Sequence, residues 1–177
     1  SGLDGLCGMK AQSKTDNLNI FRPLLSIQHQ CLIDYCQSQN LNWIEDPSNK
    51  NDIYARPRLR AALAEEGLDA TRLSKTVDRL QRGRDALEWL TSEALKESAL
   101  QEGEYQWDII KTYPLDIQIR ALNEILQNVG QAANGYPPKL ARVEEIIATL
   151  RPSQSATLYG CVISLCKDGK TLAVKQS

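Results

Sequence analysis

Apolar residues recur at helical spacing through most of the chain and alternate only in short stretches near its two ends. Behind Ser26, a residue type that caps helices well, Ile27, Cys31, Leu32, Tyr35 and Cys36 predict an amphipathic helix over 27–39. Asp69 is placed to cap a long helix over 70–101, where Leu73, Val77, Leu80, Leu87 and Ala94 are spaced 4-3-7-7. Arg84 and Thr91 interrupt that repeat where apolar groups would be wanted, which predicts a packed helix rather than a coiled coil. Pro114 opens a helix over 115–128, with Ile117, Ala121, Leu122, Ile125 and Leu126 inward. After a break at 134–138, Leu140, Val143, Ile146, Ile147 and Leu150 predict a helix over 139–150.

The non-helical pattern is confined. Residues 1–15 read as loop: three glycines, then a polar run. Leu18 and Ile20 start a short strand over 18–25, ended or left at an edge by Pro23. A second short strand is predicted over 104–111. The runs 156–166 and 171–175 form a hairpin across an Asp168-Gly169 turn. These elements predict an α+β chain, mainly α, with one domain over 1–67 and a helical one over 68–177 that ends in a β-hairpin.

One stretch, 43–60, is too polar for an ordinary connector. Pro47 fixes a backbone angle and pushes Asp46 toward an extended conformation. Ser48 and Asn49 can bond back to nearby amides, a turn that would hold Glu45 and Asp46 in fixed directions. A helix over 55–66 follows, beginning near Arg56 because Pro57 is tolerated only in a first turn, and Gly67 stops it. Arg56 and Arg60, four apart, share a face and could grip a phosphate, while Arg58 points elsewhere. The simplest alternative is that Glu45 and Asp46 pair with these arginines, and both can hold at once.

Charge sharpens this picture. The chain's net charge is −1, but residues 54–84 carry eight basic and four acidic side chains, a net of +4. Arg72, Lys75, Arg79 and Arg82 continue the basic segment along the first half of the long helix. A local basic patch on a near-neutral protein suits a phosphate backbone or nucleotide, against the plainer alternative of a solvated helix face. The apolar and charged fractions, 42% and 24%, are those of a soluble globular protein. No apolar run approaches the ~20 residues that span a bilayer. Five cysteines and one histidine, His29, offer no metal-ligand spacing, so reduced thiols and no bound metal are expected.

No phosphate-cradling glycine loop and no nucleophile–base–acid set occurs in the chain. On residues alone, a nucleic-acid- or nucleotide-contacting module and a stand-alone helical protein-interaction module stand level. Particular motifs separate them. Gly5-Leu6-Cys7-Gly8-Met9, Phe21-Arg22-Pro23-Leu24-Leu25, Tyr35-Cys36, Trp43, Glu45-Asp46-Pro47-Ser48-Asn49 and the spaced Arg56, Arg58 and Arg60 follow in order. Together they resemble the second half of the catalytic domain of bacterial tRNA(Ile)-lysidine synthetases. Residues 68–177, with Leu158-Tyr159-Gly160-Cys161, are similar to the helical substrate-binding domain of that family.

The resemblance implies an α/β domain tail, truncated before residue 1, ahead of a tRNA-binding helical domain. It implies part of a cytoplasmic, ATP-dependent ligase that joins free lysine to the wobble cytidine of an isoleucine tRNA with a CAU anticodon. ATP, with Mg, would be bound mainly by an N-terminal half not in this sequence, so the fragment alone would be inactive; the sequence leaves the oligomeric state open, a homodimer among the options. Carried to this chain, the catalytic residues are Arg56 and Arg60. Substrate binding falls to Arg22, Glu45, Asp46 and Arg58; RNA binding by Arg72, Lys75, Arg79 and Arg82 is expected from charge segregation alone. A thiolating relative of the same superfamily is the weaker alternative, because such enzymes rely on paired reactive cysteines and the pairs here are poorly placed.

Overall fold

A computed structural model describes residues 2–15, 18–44, 55, 58–59, 62, 65–67, 70–130 and 138–177. The chain separates into two compact units, Ser1–Arg82 and Gly83–Ser177.

In the first unit, the segment expected to be loop has structure of its own. It starts with a helical turn, α1 (Gly2–Leu6), closed by the Cys7 amide on the Leu3 carbonyl at 3.1 Å. Strand β1 (Gln12–Thr15) then pairs antiparallel with β2 (Leu18–Phe21), from Gln12 opposite Phe21 to Thr15 opposite Leu18. A polar strand such as Gln12–Thr15 lacks the apolar alternation by which strands are recognised, which is why only its partner was legible.

The next helix, α2 (His29–Ser38), starts two residues later than expected. Its N-cap is Gln28 and makes no side-chain cap bond, because the residues before it are taken up in successive turns. In these the Leu25 amide donates to the Arg22 carbonyl and the Ile27 amide to the Leu24 carbonyl. The helix ends in a Schellman motif. Asn40 takes a left-handed φ of 51°, its amide donates to the Gln37 carbonyl, and the Leu41 amide reaches back to the Cys36 carbonyl at 2.9 Å. The N-cap expected at Asp69, the run from Glu45 to Tyr54, and Arg56, Pro57 and Arg60 lie outside the described residues.

Helix α3 (Ala70–Ser98) is one unbroken element. It stops three residues before the expected end, because β3 (Ala99–Gln101) turns into a hairpin with β4 (Glu104–Gln106). The turn needs Gly103, at a φ of 74°, whose carbonyl accepts the Val174 amide at 2.8 Å. The expected strand over 104–111 is therefore half strand and half helical turn, α4 (Trp107–Ile110). Trp107 and Ile110 point into the core of the second unit.

The terminal hairpin proves to be part of a larger sheet. Strands β5 (Ser155–Leu158), β6 (Cys161–Leu165) and β7 (Thr171–Gln176) join β4 and β3 in a five-stranded antiparallel sheet, ordered β3-β4-β7-β6-β5. The run read as one strand over 156–166 is split by a two-residue turn, Tyr159-Gly160, with both φ angles positive at 57° and 67°. That is the turn whose twist matches paired strands. Helices α5 (Leu115–Val129) and α6 (Leu140–Thr149) supply the other layer. Ile117, Ala121, Leu122, Ile125 and Leu126 of α5 are each completely buried. The last four of these join Val143 from α6 and Cys161, Ile163, Leu172 and Val174 from the sheet, so the core lies between sheet and helices. The two polar residues in the long helix's apolar stripe are indeed buried, Arg84 at 6% and Thr91 at 2% exposure. Thr91 donates to the Leu87 carbonyl at 2.8 Å, and Arg84 lies 3.4 Å from Asp85 and 3.5 Å from Glu88.

Candidate functional site

Arg22 follows β2 directly, and its amide extends the hairpin ladder by donating to the Ala11 carbonyl at 2.7 Å. That fixes where the side chain starts. Its Nη1 then donates to the Lys10 carbonyl at 3.1 Å and the Ser13 Oγ at 2.9 Å, so the half-buried guanidinium is tied back across the hairpin. Pro23 turns the chain immediately afterwards, and the bend leaves a cleft of about 780 Å³ within the first unit.

Two segments wall this cleft: the hairpin with its bend, and one side of α3. Arg22, Phe21 and Ser26 face it from the first, and Val77, Asp78 and Gln81 from the second. Gln81 braces the arrangement, since its Nε2 donates to the Cys7 carbonyl at 2.8 Å. The volume is that of a small-molecule site, and the lining combines an apolar floor with a guanidinium and a carboxylate. Such a cleft suits a compact ligand with both polar and apolar parts.

The basic residues of α3 stand on a different side of the helix. At 100° per residue, Arg72, Lys75, Arg79 and Arg82 centre about 130° away from Ser74, Val77, Asp78 and Gln81. All four basic side chains are exposed. Thus Arg22 faces the cleft, whereas the residues expected to bind RNA form a separate outward stripe. Arg58 is exposed as well. Arg56, Arg60, Glu45 and Asp46 lie outside the described residues. Asp78 and Gln81 were missed by sequence reasoning. Their signal was the spacing of 74, 77, 78 and 81, which marks one helix face, but a face of Ser, Val, Asp and Gln carries no chemical signature on its own.

None of the five cysteines is in a disulfide. Cys161 is completely buried, and burial pushes its thiol above the ordinary range. It stays protonated and unreactive near neutral pH. Cys166, just past the end of β6, is exposed. Among the described residues no group of three or more His, Cys, Asp or Glu side chains could hold a metal ion. Nor is any helix among them long and apolar enough to cross a membrane.

Residues 1–67 match the PP-loop domain family. Across nearly its whole length the chain is similar to proteins named tRNA(Ile)-lysidine synthase. The one from Ruegeria pomeroyi is 33% identical over 172 residues, covering 92% of this chain and 40% of the relative. The one from Rhodopseudomonas palustris is 34% identical over 188 residues, covering 95% and 54%. The one from a Bradyrhizobium strain is 29% identical over 197 residues, covering 95% and 54%. The chain spans about half the length of the curated relatives it matches. A PP-loop domain match over residues 1–67 thus goes together with similarity to tRNA(Ile)-lysidine synthases along nearly the whole chain.

Proposed function

We propose that this chain is part of an ATP-dependent ligase that attaches lysine to the wobble cytidine of an isoleucine tRNA. Residues 1–67 would be the C-terminal part of the catalytic domain and 68–177 the tRNA-binding domain. The observation that carries the proposal is the similarity to tRNA(Ile)-lysidine synthases over more than nine-tenths of the chain. ATP, when bound, supplies the group that activates the cytidine. The residues present do not fit a complete site for it: the sequence has no phosphate-cradling glycine loop, and the described residues hold no acidic cluster for Mg. The nucleotide is assigned mainly to a segment of the parent enzyme outside this sequence.

What falls to this chain is substrate contact. Arg56 and Arg60, one helical turn apart by spacing, face anionic groups of the reactants, where preorganised cations stabilise developing charge. Glu45 and Asp46 orient an arginine or the lysine ammonium. Arg22 and Arg58 contact substrate beside them. The exposed stripe of Arg72, Lys75, Arg79 and Arg82 holds tRNA phosphates.

Titration of tRNA onto the chain at several salt concentrations tests this. With Arg79→Glu and Arg82→Glu together, affinity should fall and its logarithmic salt slope should flatten by about 0.9 per lost phosphate contact. Unchanged affinity and slope would remove the stripe from the RNA interface. In the parent enzyme, Arg56→Ala or Arg60→Ala should depress lysidine formation far more than thermal stability, and normal turnover would contradict the assignment.

A further inference from the structure

Trp89 is 65% exposed on α3, whereas Trp107 is only 4% exposed. Nothing about helix packing calls for an indole there. The buried positions of this part of the helix are Thr91, Ala94 and Ser98, with Arg84 before them. At 100° per residue Trp89 lies about 180° from the centre of that stripe. It faces away from the core of its unit.

Its sequence position is more informative. Arg72, Lys75, Arg79, Arg82, Ala86 and Trp89 succeed one another at intervals of 3-4-3-4-3, the spacing that keeps residues of one helix on a single face. Each of the six is exposed, and α3 is unbroken through all of them. Ala86 is the one small side chain in the series. The next residue of the series is Glu93, whose carboxylate binds Lys96 at 2.7 Å. The run of cations therefore ends, an exposed aromatic follows, and an acidic residue closes the face.

Cations at helical spacing hold a phosphate backbone, and an indole plane next to them offers the one surface every base can stack on, whatever its identity. An exposed tryptophan facing a polyanion is otherwise a poor choice of residue, since its apolar area stays in water. Building on the tRNA-contact assignment above, we infer that Trp89 is a stacking platform for an unpaired base of a bound RNA, placed at the end of the basic stripe that holds its phosphates. The ligand is a single-stranded or looped segment, since a paired base has both faces covered by its neighbours.

The test uses the 177-residue chain with isoleucine tRNA and with a fully paired RNA hairpin of similar length. Trp89→Ala should weaken tRNA binding about 5- to 150-fold, the loss expected when one stacked base is given up. It should leave the salt slope and the paired-RNA affinity unchanged, and Trp89→Phe should restore most of the binding. Helical circular dichroism checks the fold, which an exposed position should not disturb. If Trp89→Ala binds tRNA normally while the Arg79→Glu, Arg82→Glu variant does not, the stacking role is wrong and the phosphate stripe stands. If neither variant weakens binding, both fall. Equal losses on paired and unpaired RNA also overturn stacking. So does altered sedimentation with unchanged RNA affinity, which would mark Trp89 as a protein-contact residue.

Discussion

The two compact units bury their apolar side chains very differently. In Gly83–Ser177, two helices and a five-stranded sheet enclose a core that includes Leu122, Ile125, Leu126, Ile163 and Leu172. In Ser1–Arg82, Cys7 is the one buried residue among those described. Leu18, Phe21 and Tyr35 there are 70%, 64% and 61% exposed. Both units show the same amphipathic spacing in sequence. Periodicity establishes that a face exists, then, and not that anything covers it. The largest expected effect follows from this contrast. Leu122→Ala or Ile125→Ala should cost about 2–5 kcal/mol, through lost transfer energy and an unfilled cavity. Phe21→Ala should change stability by no more than about 0.5 kcal/mol, as exposed substitutions generally do. Urea unfolding followed by Trp107 emission measures the first, because that indole sits in the same core. Equal losses at Leu122 and Phe21 would erase the distinction between the units.

Two glycines sharpen it. Gly130 follows α5, where an added Cβ would meet the Tyr159 carbonyl, the Cys161 Sγ at 2.7 Å and the Leu126 carbonyl at 2.8 Å. Two of those contacts are backbone, which cannot swing aside. Gly130→Ala should therefore destabilise by about 1–3 kcal/mol, the usual range for overpacking. Gly83 is in the interior of α3, where an added Cβ meets nothing within 4 Å. Gly83→Ala should instead stabilise by about 0.5–1 kcal/mol, by reducing the freedom of the unfolded chain. Thermal melts of both variants decide the matter, and a stable Gly130→Ala would mean that the α5 terminus packs less tightly than it does here.

What the sequence made legible was local. The stripes of α5 and α6, the length of α3 to within three residues, and the Asp168-Gly169 turn all followed from spacing and turn chemistry. What stayed hidden required partners distant in the chain. Ala99–Gln101 looks like helix until Tyr105 is placed opposite Ala99, and the sheet exists only because β4 reaches β7 some seventy residues on. The same holds for the candidate site. The basic stripe could be read, because charge at helical spacing announces itself. The cleft beside Arg22 could not, because it depends on Gln81 reaching the Cys7 carbonyl across a sequence separation of 74. The acidic turn and paired arginines that made 43–60 distinctive are chemical signals without described geometry, so their roles rest on spacing and family likeness.

The smallest effects concern thiols, and they probe the comparison most finely. Cys161 sits in the core of the second unit, and burial raises its pKa in the folded state. The folded chain thus holds that proton more tightly than the unfolded chain. Its contribution to stability is fully present below the ordinary thiol range and is lost as pH rises through the raised value. Unfolding measured from neutral to mildly alkaline pH should show this decline, and Cys161→Ala should flatten it. Cys7 is equally inaccessible, with 0% exposure, but it lies among few buried neighbours. Local opening of weakly packed regions needs less free energy than exposure of a core. A thiol reagent under native conditions should label exposed Cys31 and Cys166 at once, Cys7 next, and Cys161 only at the rate of unfolding of its unit. Cys161 reacting as early as Cys7 would show that the second unit opens as readily as the first, and the contrast in packing would then have no counterpart in stability.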